Sequence, residues 1–207
     1  LPIPLRPAPQ LSDGDLRAAA ARLRLPPRFI LYAGNIEPKK NVATLIRAYA
    51  HMRRNGATDH PLVLAGRWAW KCGDVEQAIR QENVGQHILR LGYVSDADLG
   101  ALMRLAGLFV FPSIEEGCGL PPLEAMAAGV PVVASTAASL PEVLGDAALL
   151  VPPLDAPQLA AAMTKVLNNT FLRGALIQRG KRRVAELAAC PHASKLREIC
   201  GMAAHKQ

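Results

Sequence analysis

The chain is 207 residues long and half hydrophobic, so it can bury a sizeable core within one domain. No apolar run approaches the roughly 20 residues that cross a bilayer, and no basic-then-apolar start resembles a signal peptide, so a cytoplasmic protein is expected. A net charge of +7 with only 4% aromatic residues and no RNA or DNA motif points away from nucleic acid. It points instead to anionic nucleotides, or to peripheral contact with an anionic membrane surface.

Residues 1–27 open with Pro2, Pro4, Pro7 and Pro9 and close on Pro26 and Pro27. They read as an extended interdomain lead-in that carries a helix at 15–23. Apolar strands then alternate with helical patterns. A strand at 28–33 (RFILYA) precedes an amphipathic helix at 41–54 with Asn41 as its N-cap. A strand at 62–65, a helix at 74–83 and a strand at 88–91 follow. Next come a helix at 95–106 capped by Ser95 and a strand at 108–111. After a glycine-rich loop and a short helix lie a strand at 131–134, one helical turn at 141–144 and a strand at 147–151. Helices at 156–167, 171–187 and 191–204 close the chain.

Strands that are apolar throughout, rather than alternating, mark a sheet covered on both faces. Repeated β-α units point to a doubly wound, parallel, Rossmann-like α/β fold. The division expected is a lead-in at 1–27, a Rossmann-like domain at 28–170 and C-terminal helices at 171–207. Cys72, Cys118, Cys190 and Cys200 form no close pair, so reduced thiols are expected rather than a disulfide or zinc site. The five histidines are scattered, and no metal or other cofactor is called for.

Ligands of such sheets bind where the strands end, so the loops there carry the function. The stretch 115–129 (EEGCGLPPLEAMAAG) follows an apolar strand and enters a helix. Pro121 suits the first helical position, and the N–H groups of Gly119 and Leu120 stand exposed at the helix start. Glu116 and Glu124, with seven residues between them, set two carboxylates beside that anion site. A phosphate flanked by hydroxylated sugars fits such a place. Taken singly, each glutamate is equally at home as a surface acid or a helix-dipole partner.

The loop Gly34-Asn35-Ile36-Glu37-Pro38-Lys39-Lys40-Asn41 adds two lysines at another helix start, suited to a diphosphate. It contains neither a G-x-G-x-x-G nor a G-x-x-x-x-G-K-[ST] pattern, which argues against a dinucleotide cofactor and against ATP hydrolysis. Arg67, in the loop Gly66-Arg67-Trp68-Ala69-Trp70-Lys71, brings another cation to the same rim, while its tryptophans serve equally well as core cover. Tyr93 and Val94 offer a flat surface to a base, or simply precede the cap at Ser95. The basic run 179–183 reads as a solvated helix face, with an anionic surface as the other reading.

Five segments together resemble the C-terminal, donor-binding domain of family-4 retaining glycosyltransferases, which have the two-domain GT-B architecture. They are LYAGNIEPKKNVATLIRAY, LVLAG, LRLGYVSDADLGALM, FVFPSIEEGCGLPPLEAMAAGVPVVAS and SLPEVLGDAALLVPPLD, in the family's order and covering about 28–167. The resemblance implies a nucleotide-diphospho-sugar donor, with GDP-mannose favoured and UDP-glucose types open. It implies that Glu116 meets donor-sugar hydroxyls near the reacting centre and that Glu124 meets the ribose. It gives the amides of Gly119 and Leu120 to the diphosphate, Lys40 to its neutralisation, and Tyr93 and Val94 to the base.

Three departures stand out, one being that the aromatic residue, often Trp, expected near 188–191 is absent. Asn35 occupies a position where many members carry Arg, so a second diphosphate cation falls to Lys39 or Arg67 or is missing. Cys118 replaces a commonly aromatic residue and sets a thiol near the phosphates. A whole enzyme of this kind also needs an N-terminal acceptor domain, so a truncated or split polypeptide is expected, weak or inactive in transfer alone. A stand-alone nucleotide-sugar-binding module remains the alternative, and a sugar-nucleotide epimerase is disfavoured by the Lys40, Glu116 and Glu124 pattern.

Overall fold

The computed structural model describes residues 11–69 and 72–189. The lead-in prolines at 2–9, Trp70, Lys71 and the helix expected at 191–204 lie outside them. Six short strands form one parallel sheet: β1 (Ile30–Ala33), β2 (Leu62–Ala65), β3 (Ile88–Gly92), β4 (Leu108–Phe111), β5 (Val132–Ser135) and β6 (Ala148–Val151). Their order is β3-β2-β1-β4-β5-β6, the doubly wound order with its reversal between β1 and β4. The four inner strands are buried along their whole length, as continuous apolar runs require, while β3 and β6 at the edges are only partly covered.

Helices cover both faces. On one, α2 (Val42–Arg54) packs against α3 (Gly73–Gln81) and α7 (Ala156–Asn168). On the other, α4 (Asp96–Leu105) lies between α1 (Asp13–Arg22) and α5 (Leu120–Ala127), and α5 meets α8 (Thr170–Ala189). A single turn, α6 (Leu140–Leu144), sits beyond β5. The lead-in helix α1 is held to the domain by an Arg22–Asp98 ion pair, and Arg104 donates to Leu11 O at 2.8 Å. In α8, Gly180 lies so close to Met126 of α5 that a Cβ there would stand 3.0 Å from Met126 Cγ.

The basic run on α8 is largely engaged with its own fold. Arg179 Nε stands 3.5 Å from Asp146, and Arg183 donates to the carbonyls of Val143 and Glu142 at 2.9 and 2.8 Å. These bonds pin α8 over α6, which favours the helix-face reading of that run. Among the described residues, no helix is long and apolar enough to cross a membrane.

Two helix starts differ from expectation. Asn41 stands at the cap position of α2 but makes no side-chain cap, because its backbone is left-handed (φ 54°) and its side chain turns elsewhere. Helix α5 begins at Leu120, so Pro121 is its second residue, not its first. The reason is Gly119: it caps the helix at φ 62°, and a Cβ there would press on Leu140 Cδ2 at 3.0 Å. Prolines at the second and third positions carry no N–H, so the helix start offers few amides beyond those of the glycine turn.

Candidate nucleotide-sugar site

The loops after β1 and β4 flank the point where the strand order reverses, and they carry Lys40 and Glu116. Three ties close the gap between them. Ile114 N donates to Lys39 O at 2.8 Å, Asn41 Nδ2 donates to Pro112 O at 3.0 Å, and Lys40 Nζ reaches Glu116 Oε2 at 2.6 Å. Asn41 is the residue that sequence reasoning missed here. Its buried amide is itself steadied by Thr44 Oγ1, which donates to Asn41 Oδ1 at 2.7 Å. The available signal was Asn, which tolerates the left-handed region, followed three residues on by Thr.

Lys40 and Glu116 keep only 15% and 13% of their side-chain surface, so solvent screens this pair little. The Lys40 ammonium also lies 5.1 Å from the centroid of the Phe111 ring, which is stacked on Tyr32. Partial burial pushes the Glu116 carboxyl up. The Lys40 hydrogen bond and charge, with the amides of the Gly117–Gly119 turn, outweigh burial and hold it below its ordinary 4.5. Glu116 Oε1 accepts from Gly117 N at 3.1 Å and Gly119 N at 3.4 Å. Ser139 Oγ then donates to Glu116 O at 3.2 Å and Gly117 O at 2.9 Å, fastening the turn to the start of α6.

The loop after β1 is braced from its other side. Gly34 N donates to Ala65 O and Ile36 N to Arg67 O, both at 2.9 Å, so pairing of β1 with β2 continues past the strand ends. Gly66 is the close approach: a Cβ there would fall 1.9 Å from Gly34 O. Tyr32 OH donates to Asn35 O at 2.9 Å. Burial first, and the charges of Glu37 and Glu116 second, raise that phenol far above its ordinary value, so it stays a neutral donor.

The remaining expected residues fall into three groups. Cys118 is an exposed thiol in the turn, Gly119 is buried at the cap, and Leu120 and Glu124 lie half-buried on α5. Lys39 is half-exposed and pairs with Glu37 at 3.5 Å. Arg67 lies over the Tyr93 ring at 4.7 Å, forming a separate pair on the loops after β2 and β3, with Val94 packed against the core beside it. The structure therefore joins Lys40, Glu116 and Gly119 in one cluster and Arg67 with Tyr93 in another. Neither Lys39 nor Arg67 pairs with Glu116 among the described residues.

Two Asp-x-Asp pairs also escaped sequence reasoning. Asp13-Gly14-Asp15 and Asp96-Ala97-Asp98 open α1 and α4. There Asp15 completes a capping box with Ser12, and Asp98 N donates to Ser95 Oγ at 3.1 Å. Among the described residues, no group of three or more His, Cys, Asp or Glu could hold a metal ion.

Known proteins share this fold and much of this sequence. The family described as glycosyl transferases group 1 matches residues 17–183. O-antigen chain mannosyltransferase B of Escherichia coli is 40% identical over 152 residues, which are 73% of this chain. The chain spans 40% of the length of that relative. Sucrose-phosphate synthase from Thermosynechococcus elongatus superposes with a TM-score of 0.77 at 28% identity, over 96% of this chain and 53% of that one. The C-terminal domain of a glycosyl transferase group 1 protein (LpcC) from Francisella tularensis has the same fold, with a TM-score of 0.70 at 23% identity. That match covers 84% of this chain and 93% of that domain. The matched span takes in all six strands and both loops of the lysine–glutamate cluster, and the chain belongs to the glycosyl transferases group 1 family.

Proposed function

We propose that this chain is the donor-binding half of a retaining glycosyltransferase that moves a hexose from a nucleotide-diphospho-sugar to a glycan or lipid-linked acceptor. The observation that carries the reading is the meeting of Lys40, Glu116 and the Gly119 amide at the strand-order reversal, at 2.6 Å for the ion pair. A lysine beside a helix start suits a diphosphate, and a carboxylate one contact away suits sugar hydroxyls.

In transfer, the bond between sugar C1 and the diphosphate oxygen breaks, and its electron pair leaves with the phosphate. Lys40 and the Gly119 and Leu120 amides stabilise that growing charge. The acceptor hydroxyl forms the new C1–O bond on the same face and passes its proton to the departing diphosphate oxygen. Electrostatic stabilisation of this kind works because the cation and amides are held in position beforehand by the loop ties. Glu124 takes the ribose, Tyr93 and Val94 take the base, and Lys39, Arg67, Gly34, Asn35 and Cys118 line the approach.

Residues 28–170 form the donor unit in this reading, with 1–27 as the lead-in from an N-terminal acceptor domain and 171–207 as the C-terminal segment. The mannosyltransferase names of relatives at 40–42% identity support GDP-mannose as the donor. The net charge of +7 suits peripheral contact with an anionic inner membrane face. Calorimetric titration of the purified chain with GDP, GDP-mannose, UDP and UDP-glucose tests the proposal, with GDP-mannose expected to bind most tightly. Absence of binding below millimolar for all four defeats it. Binding without transfer, even after the chain is joined to an acceptor domain, selects the stand-alone binding module instead.

A further inference from the structure

Glu116 stands on the seat its neighbours would offer a phosphate. One carboxylate oxygen lies 2.6 Å from Lys40 Nζ, and the other accepts from the Gly117 and Gly119 amides at 3.1 and 3.4 Å. The lysine and the Gly119 amide are the same groups that the donor reading assigns to the diphosphate. Two anions at contact distance on one ammonium repel each other, and this carboxylate is largely shielded from solvent. A diphosphate therefore arrives at an occupied site.

We propose that Glu116 is an intramolecular rival of the diphosphate, which makes it the residue that distinguishes loaded donor from spent nucleoside diphosphate. This rests on the donor-site reading above and adds a direction to it. A sugar-bearing donor brings hydroxyl groups that satisfy the carboxylate once it leaves the lysine. A bare diphosphate brings none, so its binding leaves Glu116 without its cation and without a replacement. Once the C1–O bond has broken and the sugar has gone to the acceptor, the carboxylate returns to Lys40 and the turn amides and displaces the product.

The remaining contacts of the turn favour such a movement. Its backbone is fastened through Glu116 O and Gly117 O to Ser139 and through Ile114 N to Lys39 O, none of which involves the carboxylate. The side chain can thus change partners while the loop stays in place.

Titration of wild type, Glu116→Gln, Lys40→Ala and the double variant with inorganic pyrophosphate, GDP and GDP-mannose tests the proposal. Glu116→Gln keeps the side-chain shape and is expected to bind pyrophosphate and GDP about tenfold more tightly, the scale of one charge-assisted contact. Its preference for GDP-mannose over GDP should fall by a similar factor. In the Lys40→Ala background, the same Gln substitution should change diphosphate affinity clearly less than in wild type, because the contested cation is gone and only the turn amides remain to compete for. Equal or weaker binding of pyrophosphate and GDP by a folded Glu116→Gln protein overturns the rivalry while leaving the donor site intact. A wild type and variants that bind none of the three ligands defeat the donor-site reading and this proposal together.

Discussion

Replacing Gly66 by Ala probes the brace beneath the lysine loop. The new Cβ would lie 1.9 Å from Gly34 O and 2.6 Å from Gly34 C, both main-chain atoms that no rotamer change can move aside. The backbone at Gly66 also has φ +140°, a region that residues bearing a Cβ rarely occupy. Strain of that kind costs about 1–3 kcal/mol, and forcing packed backbone apart costs about as much again. The loss expected is therefore roughly 2–6 kcal/mol out of a typical total of 5–15. For a domain of this size, that lowers Tm by roughly 4–24 °C. The bonds from Gly34 N to Ala65 O and from Ile36 N to Arg67 O should loosen with it. Urea denaturation followed by circular dichroism measures the loss, and amide hydrogen exchange at Gly34 and Ile36 locates it. Gly56→Ala is the control, since it shares a positive φ (64°) but meets nothing within 4 Å, so only backbone strain of about 1 kcal/mol applies. A Gly66→Ala protein within about 1 kcal/mol of wild type would refute the close-approach reasoning.

Asn41→Ala removes the bond to Pro112 O and leaves Ala in a left-handed conformation, for an expected loss of about 2–4 kcal/mol in denaturant titration; a loss equal to that of an exposed-surface substitution would contradict the staple. Because the Glu116 carboxyl is held below its ordinary 4.5, its contribution to stability is complete above that pH and is given up as pH falls through the lowered value. Wild type should accordingly exceed Glu116→Gln in stability by a constant margin near neutrality, and the margin should shrink on acidification; a margin unchanged between about pH 6 and pH 3 would rule this out. In a Cys190→Ser, Cys200→Ser background, exposed Cys118 should react with a thiol reagent well before Cys72. The Cys72 thiol donates to Ile36 O at 2.8 Å and is raised in pKa by burial. Equal labelling rates would count against the turn geometry.

The strands were legible because each inner one is a run of apolar residues with no polar interruption, a pattern that admits few other structures. Their parallel, doubly wound arrangement followed from the repetition of β-α units, but the strand order itself came only with the structure. Caps were harder. A Ser followed by an acid three residues on, as at Ser95 and Asp98, announces itself, and the structure carries that cap. Asn41 has the right residue type in the right place, yet its amide goes to a carbonyl 71 positions away. No local pattern encodes that partner. The Lys40–Glu116 contact spans 76 positions; the resemblance put both residues in one site but did not pair them. That Glu116 also turns back on its own loop amides is visible only in the structure, because a carboxylate beside a glycine turn has several equivalent acceptor geometries.

Apart from the Lys40–Glu116 pair, the ties that hold the β4 loop engage main-chain atoms on its side: the Pro112, Glu116 and Gly117 carbonyls and the Ile114 amide. The side chains of Ile114, Glu115 and Cys118 meanwhile point outward on exposed positions. Architecture and chemistry are thereby divided between separate parts of the same seven or eight residues. In the proposed donor-site reading, mutational drift at the outward positions retunes which ligand is accepted without loosening the frame, which makes this rim a favourable place for directed evolution of donor preference.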